Sequence, residues 1–197
     1  MSPNRRLCRM LQRGFPAAGS LRLIVLLLAA MFLAVGCAPS SRTDEEAVPP
    51  LPEGSLLSEL NPVERSLLWR ANEARRKAGV MPLTLRPDLC VAARKHTAEM
   101  VQLGLVTRFS NDGKDVGEQL TDQGVNWNLC AINLAQIAPG VDNVAQKVVD
   151  YWLSQPNARR DLLFHLYDET GLSAQCDPKG QWFITQIYAR RTSYWTP

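Results

Sequence analysis

Side chains that commonly carry chemistry are sparse in this 197-residue chain, which has two histidines and five cysteines. His96 falls on the apolar stripe of a predicted helix, and we interpret it as a half-buried, hydrogen-bonded core residue rather than a catalytic one. His165 falls in the last turn of a short predicted helix, where a cation suits the helix dipole, and we interpret it as structural. The sequence has no CxxC motif and no Cys/His cluster, so we expect no metal site and no cofactor.

Three cysteines, Cys90, Cys130 and Cys176, lie in the part of the chain that is predicted to be globular. An oxidising cell envelope permits one disulfide among them and leaves one thiol over. We predict the pair Cys130–Cys176, because both residues fall on predicted strands of one small sheet, whereas Cys90 lies early in a helix. A link from Cys90 to either of the other two is the alternative.

The N-terminus has the pattern of a targeting segment. Residues 1–22 contain five arginines and no acidic residue, and residues 23–36 are uncharged and apolar. A helix of that apolar length rises only about 21 Å, short of a bilayer core of about 30 Å. Residues 1–36 are therefore predicted to be a signal peptide rather than a membrane span, and the start at Met1 or Met10 stays open.

The apolar run ends in Leu33-Ala34-Val35-Gly36-Cys37, which resembles a bacterial lipobox. We predict lipid attachment at Cys37, and hence a protein of the bacterial cell envelope, on its periplasmic or surface-facing side. Ala38 rather than Asp follows the cysteine, which favours the outer membrane if the envelope has two membranes. Ordinary cleavage beside a chance cysteine is the alternative.

Removal of the targeting segment changes the charge of the chain. The whole sequence has a formal charge of +3, of which residues 1–36 contribute +5, so the remainder carries −2. The apparent basicity therefore gives no argument for a nucleic-acid partner. Residues 37–58, rich in Pro, Ser and acidic side chains, are predicted to be a flexible linker that begins with the lipidated cysteine. One domain at 59–191 and a tail at 192–197 follow.

Helical patterns dominate the predicted domain. An apolar stripe follows the N-terminal signal Asn61-Pro62-Val63-Glu64 and ends at Gly79. A second helix is predicted from Pro87 to Gly104, and a short helical or irregular piece at 117–124. A third helix is predicted from an apolar stripe that extends from Val141 to Trp152. Pro156 is predicted to break it, and Asn157 to cap a short helix after it.

Three segments have the pattern of strands. Leu129 to Ala135 is a short apolar run with one polar residue, Asn133, which predicts a strand buried on both faces and an asparagine tied into a hydrogen-bond network. Leu172 to Cys176 and Trp182 to Ala189 flank a hairpin turn. Because both faces of the last strand are largely apolar, helices should cover both. The predicted fold is α+β, a three-layer α/β/α sandwich around a small antiparallel sheet.

The order of elements and several landmarks resemble the CAP superfamily, which includes cysteine-rich secretory proteins, antigen 5 and plant pathogenesis-related proteins, and in particular its bacterial SCP-like branch. The resemblance covers about residues 62–190. It is carried by Asn72, Arg75 and Gly79 in the first helix; Ala93, His96 and Met100 in the second; Asp112-Gly113, Leu120 and Gly124; Asn133-Leu134-Ala135; Trp152, Pro156 and Arg159; and Gly171 with Thr185-Gln186.

The resemblance implies a metal-binding cavity whose ligands this chain lacks. The family places a His, a Glu and a His where this sequence has Arg108, Ile132 and Ala158. No metal ligand and no catalytic residue therefore carries over. The positive charge that remains at Arg108 and at the neighbouring Arg159 predicts a cavity that repels divalent cations and suits an anionic group.

The candidate ligand-binding residues are Arg108, Asn133, Arg159 and Gln186. The alternative for Arg108 is that it points to solvent or pairs with Asp112. The leading hypothesis is a non-catalytic binding or structural module, attached to a membrane by its lipid, with a lipid, a glycan or another envelope component as ligand. Family members are linked to sterol and lipid binding. A peptidase-like hydrolase and a structural protein without a small ligand are the alternatives.

Overall fold

The computed structural model describes residues 59–191. The elements in this range are α1 (Pro62–Lys77), β1 (Thr84–Leu85), α2 (Pro87–Leu103), α3 (Val116–Asp122), β2 (Leu129–Ile137), α4 (Val144–Ser154), α5 (Pro156–Leu163), β3 (Glu169–Cys176) and β4 (Trp182–Arg190). No helix of this range is long and apolar enough to cross a membrane. The predicted signal peptide, lipidation site Cys37, linker and tail lie outside the described residues.

The first helix begins where its sequence signal predicts. Asn61 accepts a hydrogen bond from the backbone of Glu64, and the Glu64 carboxylate accepts one from the backbone of Asn61, both at 2.9 Å. Glu64 is buried, and its second oxygen accepts a bond from the backbone N–H of Ala174 in β3 at 3.0 Å. The capping box therefore starts α1 and also fixes its N-terminus to the sheet.

The boundaries of the fourth and fifth helices differ from the prediction. Asn143 adopts a left-handed backbone conformation, so α4 begins at Val144 and excludes Val141. Pro156 begins α5 rather than only ending α4, because the first position of a helix does not need a backbone N–H. Gln155 is therefore the capping residue, and the predicted cap Asn157 lies inside the helix. His165 is exposed and follows the last helical residue instead of lying in the last turn.

The four strands form one sheet in the order β1-β3-β4-β2. The pairs β3–β4 and β2–β4 are antiparallel and span the full strands, with Asn133 opposite Gln186. The two-residue strand β1 pairs with β3 in parallel, so the sheet is mixed rather than wholly antiparallel. In this sheet β2 is an edge strand.

Two hydrophobic clusters cover the two faces of the sheet. The larger one joins α1, α4 and α5 to the face that carries Ala131, Leu172, Ile184 and Tyr188. The smaller one joins α2 and α3 to the opposite face, with Ile132, Ile187 and Ala189. Because successive strand residues point to opposite faces, one short strand contributes to both clusters. The predicted three-layer α+β sandwich is confirmed.

Helix α2 packs against β3 at a distance that only a glycine permits. A Cβ atom on Gly171 would lie 2.1 Å from the backbone carbon of Leu89 and 2.4 Å from the backbone nitrogen of Cys90. Atoms of the main chain cannot move aside as a side chain can, so Gly171 sets the spacing between the second layer and the sheet.

The predicted disulfide Cys130–Cys176 does not form, and Cys90, Cys130 and Cys176 are free thiols. Cys130 lies opposite Ala189 and Cys176 opposite Trp182, on the two sides of β4. Seven residues along β4 span about 23 Å, whereas the Cα atoms of a disulfide lie within about 7 Å of each other. The prediction was wrong because it placed both cysteines in one sheet without knowing that a third strand separates them.

Candidate functional site

A concave site of the described residues lies beside the edge strand β2, between α3 on one face of the sheet and α5 on the other. It has a volume of about 970 Å³. We call it the edge cleft. Its lining residues are Arg108, Phe109, Lys114, Asp115, Val116, Gly117, Glu118, Thr121, Asp122, Trp127, Cys130, Ala131, Ile132, Arg160, Asp161, Phe164 and Tyr167.

The α3 side of the edge cleft is built around Trp127. Its indole N–H contacts the carbonyl of Gly117 and the hydroxyl of Thr121, both at 3.1 Å, and the indole lies directly against Gly117. Asp115 and Glu118 form a second capping box that starts α3, with both bonds at 2.9 Å. The acidic pair therefore holds the helix on which the tryptophan rests.

The opposite wall follows α5 and contains Phe164 and Tyr167, whose rings pack edge to face at 5.1 Å. Arg75 of α1 holds this wall from inside the core, where it has no exposed surface. Its guanidinium donates to the backbone carbonyls of Leu162 at 2.7 Å, Phe164 at 3.2 Å and Tyr167 at 2.7 Å. An arginine is suited to this position because its planar fork can reach several acceptors at once.

His96 connects the second helix to two segments that border the cleft. This residue is 1% exposed, with Nε2 2.8 Å from the Thr107 carbonyl and Nδ1 3.3 Å from the Gln119 side-chain oxygen. The prediction of a hydrogen-bonded core histidine is confirmed, although the residue is fully buried rather than half-buried. Its two contacts tie α2 to α3 and to the segment that carries Arg108.

The charged residues of the cleft are four carboxylates and three cations. Most of them have partners on the protein. Lys114 pairs with Asp122 at 2.5 Å and with Asp112 at 3.0 Å, and the Arg160 guanidinium donates to Oδ1 of Asp161 at 3.1 Å and 3.2 Å. Asp161 is 8% exposed, which makes it the most buried charge of the cleft. The lining is thus close to neutral and slightly acidic, not basic.

Burial raises the pKa of two weak acids of the cleft. It raises the pKa of the Tyr167 phenol from 10.0 to about 12, with a further rise from the negative charge of Asp161. It also raises the pKa of the Cys130 thiol from 9.0 to about 11, with a smaller contribution from Asp115. At neutral pH both groups are uncharged, so Cys130 is a poor nucleophile.

The structure separates the four residues that the sequence suggested for ligand binding. Arg108 lines the edge cleft. Asn133 and Gln186 are buried in the core, where Asn133 donates to the Ala158 carbonyl at 2.9 Å and to the Tyr188 hydroxyl at 3.1 Å. Tyr188 in turn donates to Gln186 at 3.3 Å. Asn133 and Gln186 therefore belong to a hydrogen-bond network of the core and do not line the cleft. The network predicted for Asn133 is confirmed.

Arg159 is exposed and lies outside the edge cleft. It lines a smaller hollow of about 390 Å³ between α1, α4 and α5. The predicted pairing of Arg108 and Arg159 in one anion site is therefore not what the structure shows, because the helical turn places consecutive residues of α5 on different sides: Arg160, next in sequence, faces the cleft.

The residues at the three positions where the family has metal ligands cannot bind a metal ion. Arg108 presents a cation, Ile132 is 1% exposed in the second cluster, and Ala158 has no side-chain donor. Within residues 59–191, no group of three His, Cys, Asp or Glu side chains could hold a metal ion. Divalent cations prefer several oxygen or imidazole ligands, which these positions do not supply.

The comparison with known families decides the family. Residues 68–188 match the model of the cysteine-rich secretory protein family, CAP. The chain belongs to the CAP family. The resemblance seen in the sequence is thereby confirmed. No curated protein matches the chain.

Solved CAP structures from bacteria share the fold. An outer surface protein of Borrelia burgdorferi has a TM-score of 0.60 at 18% identity, over 66% of this chain and 93% of that protein. An extracellular SCP-domain protein of Bacillus anthracis has a TM-score of 0.58 at 21% identity, over 73% of this chain and 45% of that protein. A cysteine-rich secretory protein of Staphylococcus aureus has a TM-score of 0.54 at 24% identity, over 68% of this chain and 40% of that protein. This chain spans less than half of the last two proteins.

Sequence reasoning missed the aromatic and acidic residues of the edge cleft. Phe109, Trp127 and the pair Phe164 and Tyr167 lie in three separate loops between residues 109 and 167, so no single spacing pattern joins all four. A weak signal existed in Asp161, a carboxylate on the apolar side of a short helix. Such a residue usually faces a partner or a cavity.

Proposed function

We propose that this protein is a lipid-anchored, non-catalytic binding module of the bacterial cell envelope, in which the edge cleft is the ligand site and the family's metal site has been lost. The observation that carries the proposal is the cleft itself. Its volume of about 970 Å³ falls in the range of small-molecule sites, and four aromatic side chains line it around a few polar groups.

The envelope location is supported by two independent observations. The sequence before Cys37 resembles a lipobox after a basic and then apolar segment. The bacterial proteins with a similar fold are described as an outer surface protein, an extracellular protein and a secretory protein. If the envelope has two membranes, Ala38 favours attachment to the outer one.

The chemistry of the cleft supports binding rather than hydrolysis. None of the described residues that line it is a serine or a histidine. The Thr121 hydroxyl donates to the Gly117 carbonyl at 2.8 Å and contacts Trp127, so it is already engaged. The raised pKa of Cys130 leaves its thiol protonated. A nucleophile with an adjacent base, which peptide hydrolysis requires, is therefore missing from this lining.

Metabolic labelling tests the anchor. Cells that express the protein are grown with a fatty acid that carries a chemical tag. The wild-type protein and Cys176→Ser should be labelled equally, and Cys37→Ser should not be labelled. Cys176 is the matched control because it is an exposed cysteine within the described domain. Equal labelling of Cys37→Ser and the wild type would contradict the anchor.

Analysis of copurified ligands tests the binding function. The full-length protein is purified from its own membranes in mild detergent, and the extract is examined by mass spectrometry. Wild type and Tyr151→Ala should carry the same small molecule, whereas Phe109→Ala should carry about a fifth as much. Both aromatic residues are exposed, but only Phe109 lines the edge cleft. A wild-type protein without any bound molecule, or equal loss in both variants, contradicts the proposal.

Calorimetric titration with zinc and magnesium tests the loss of the metal site. We expect no stoichiometric heat in the wild-type protein, because Arg108, Ile132 and Ala158 supply no metal donors. A tight one-to-one zinc site that disappears in Asp161→Asn would show that the cleft recruits other ligands and that the family site has been replaced rather than lost.

A further inference from the structure

The polarity of the edge cleft restricts the class of ligand that it can hold. Seven of its seventeen lining residues carry a charge, and four carry an aromatic ring. An acyl chain or a sterol placed against this lining would exclude water from charged side chains without giving them a new partner. Removing water from a charged group without giving it a partner is unfavourable. The lining therefore disfavours a purely apolar ligand.

An anionic ligand is disfavoured as well. The four carboxylates of the lining outnumber its three cations. Lys114 is already paired with Asp112 and Asp122, and Arg160 with Asp161, so Arg108 is the one cation of the described cleft lining that is not in an ion pair. A phosphate or carboxylate ligand would meet more repulsion than attraction along most of this wall.

A peptide that adds a strand to the sheet is excluded by burial. Although β2 is an edge strand, Ile132 is 1% exposed and Ala131 is 9% exposed. These values include the backbone, so the hydrogen-bonding groups of Ala131 and Ile132 are not open to a second strand. Strand addition depends on those backbone groups.

We infer that the ligand of the edge cleft is an oligosaccharide of neutral sugars. This inference rests on the proposed function, because it identifies the ligand class of the same site. A pyranose ring has one apolar face of C–H groups that packs on an aromatic ring, and hydroxyl groups at its edge that donate hydrogen bonds to carboxylates. Aromatic walls and carboxylate acceptors that occur together match both halves of such a ligand.

Asp161 is the main polar contact for the sugar. It is the most buried charge of the cleft, and both hydrogen bonds from Arg160 go to its Oδ1 atom. Oδ2 therefore keeps its capacity to accept from sugar hydroxyls. Asp115 and Glu118 are less available, since each accepts a backbone bond in the capping box of α3. A buried carboxylate acceptor forms stronger hydrogen bonds than an exposed one.

Phe109 provides the outer stacking surface. The residue is 56% exposed although it lines the cleft, and large aromatic side chains are unfavourable to leave in water. Trp127 and Phe164 are half-buried and lie on the two walls. The three rings thus surround the entrance and sides of the cleft, which suits a chain of several sugars rather than one.

The test is calorimetric titration of the purified full-length protein with four soluble probes. The sugars are the β-1,4-linked tetramer of N-acetylglucosamine and maltotetraose. The comparison probes are palmitate and inorganic phosphate. We expect saturable binding of at least one tetrasaccharide and none of palmitate or phosphate. Binding should weaken about tenfold in Asp161→Asn and about fivefold in Phe109→Ala.

Matched controls separate the cleft from the rest of the surface. Asp142→Asn removes an exposed carboxylate and Tyr151→Ala removes an aromatic ring that is 49% exposed, and neither residue lines the cleft. Both should bind the tetrasaccharide as the wild type does. If Asp161→Asn fails to fold, Phe109→Ala alone carries the test, because that ring is exposed and its loss should leave the melting temperature unchanged.

The outcomes distinguish the two proposals. Palmitate or phosphate binding that Phe109→Ala weakens, with no binding of either sugar, would overturn the oligosaccharide inference and leave the binding function intact. Sugar binding that the control variants weaken as much as the cleft variants would also overturn it, since the site would lie elsewhere. If no probe binds and protein from native membranes carries no small molecule, both the inference and the proposed function are wrong.

Discussion

Buried polar groups occur in two regions: the core network around Asn133, and the edge cleft. In the network they bind one another, whereas in the cleft they border a cavity. In the network each donor meets an acceptor of the same molecule: Asn133 to Tyr188, Tyr188 to Gln186, and Gln186 to Thr170 at 3.2 Å. In the cleft, aromatic rings and carboxylates border open space. Internal pairing fixes strands in register, whereas groups that border a cavity keep hydrogen-bond capacity for a ligand.

The comparison explains why the most conspicuous polar residues of the sequence are not the ligand site. An asparagine in an apolar strand must be satisfied internally before the strand can be buried, and it is then unavailable. Residues that border a cleft are under no such requirement and occur in segments without a regular pattern. The core and the cleft should therefore respond differently to the same kinds of substitution, and five predictions test this.

The largest loss of stability is expected for Trp152→Ala in the core. Trp152 has no exposed surface, and its indole donates to the Leu134 carbonyl at 2.9 Å. Truncation should lower the free energy of unfolding by about 3–5 kcal/mol in urea denaturation. The neighbouring Tyr151→Ala, at an exposed position, should change it by less than about 0.5 kcal/mol. Similar values for the two variants would show that the assigned core face of α4 is wrong.

A loss of about 3 kcal/mol is expected for Gly171→Ala, at the upper end of overpacking effects. The added methyl group would lie 2.1 Å from the main chain of Leu89, so α2 has to move away from β3. Urea denaturation measures the loss, and circular dichroism at 20 °C checks that the variant is folded before the titration. A fully stable variant would mean that α2 and β3 are far enough apart to hold the added methyl group.

Arg75→Ala should lower the free energy of unfolding by about 2–3 kcal/mol, because it leaves buried carbonyls of the Leu162–Tyr167 segment without a donor. Arg75→Lys should recover only part of this loss, since an ammonium group cannot reach the same acceptors. The exposed Arg159→Ala is the control. Arg75 also links the two regions, so ligand binding by the folded Arg75→Lys protein should be weaker than in the wild type.

The fold was predictable from the sequence to the extent that its signals are local. Asn61 with Glu64 marked the start of α1, and the apolar run around Asn133 marked the buried strand; both predictions are confirmed. The family and the three layers followed from the order of such elements. The prediction that Asn157 caps the short helix was wrong, because Pro156 can begin a helix as well as end one.

The cleft and the cysteine geometry were not predictable, because they depend on strand order. Nothing local in the sequence states that β4 separates Cys130 from Cys176, or that β2 is left at the edge of the sheet. The same edge position creates the cleft. Arg108 was found only through the family resemblance, whereas the adjacent Phe109 carried no pattern at all.

Alkaline pH should reveal the buried acids of the cleft. The pKa of Tyr167 is raised to about 12 in the folded protein and is 10.0 in the unfolded chain. The unfolded state thus loses its proton first, so the stabilisation is complete below pH 10 and is lost as the pH rises towards 12. Cys130 acts in the same direction between pH 9 and about 11. Burial also raises the pKa of Tyr188 in the core.

Urea midpoints at pH 8, 9, 10 and 11 measure this effect. Stability of the wild-type protein should fall progressively above pH 9, and Tyr167→Phe should show a shallower fall because one of the responsible groups is absent. Tyr151→Phe, at an exposed position on α4, should follow the wild-type curve. Identical curves for all three proteins would show that the Tyr167 phenol is open to water.

The smallest effect on stability is expected for Gly117→Ala, the cleft counterpart of Gly171→Ala. Here the added methyl group would lie 2.8 Å from Cζ2 of Trp127, which belongs to a half-buried side chain and can rotate away. The clash is partly offset because alanine favours the helix more than glycine does by about 1 kcal/mol. The free energy of unfolding should therefore change by less than about 1 kcal/mol, whereas tryptophan emission should shift and binding of the responsive tetrasaccharide should weaken. A loss of stability as large as that of Gly171→Ala would show that Trp127 is as fixed as the core, and that the cleft and the core do not differ in the way described.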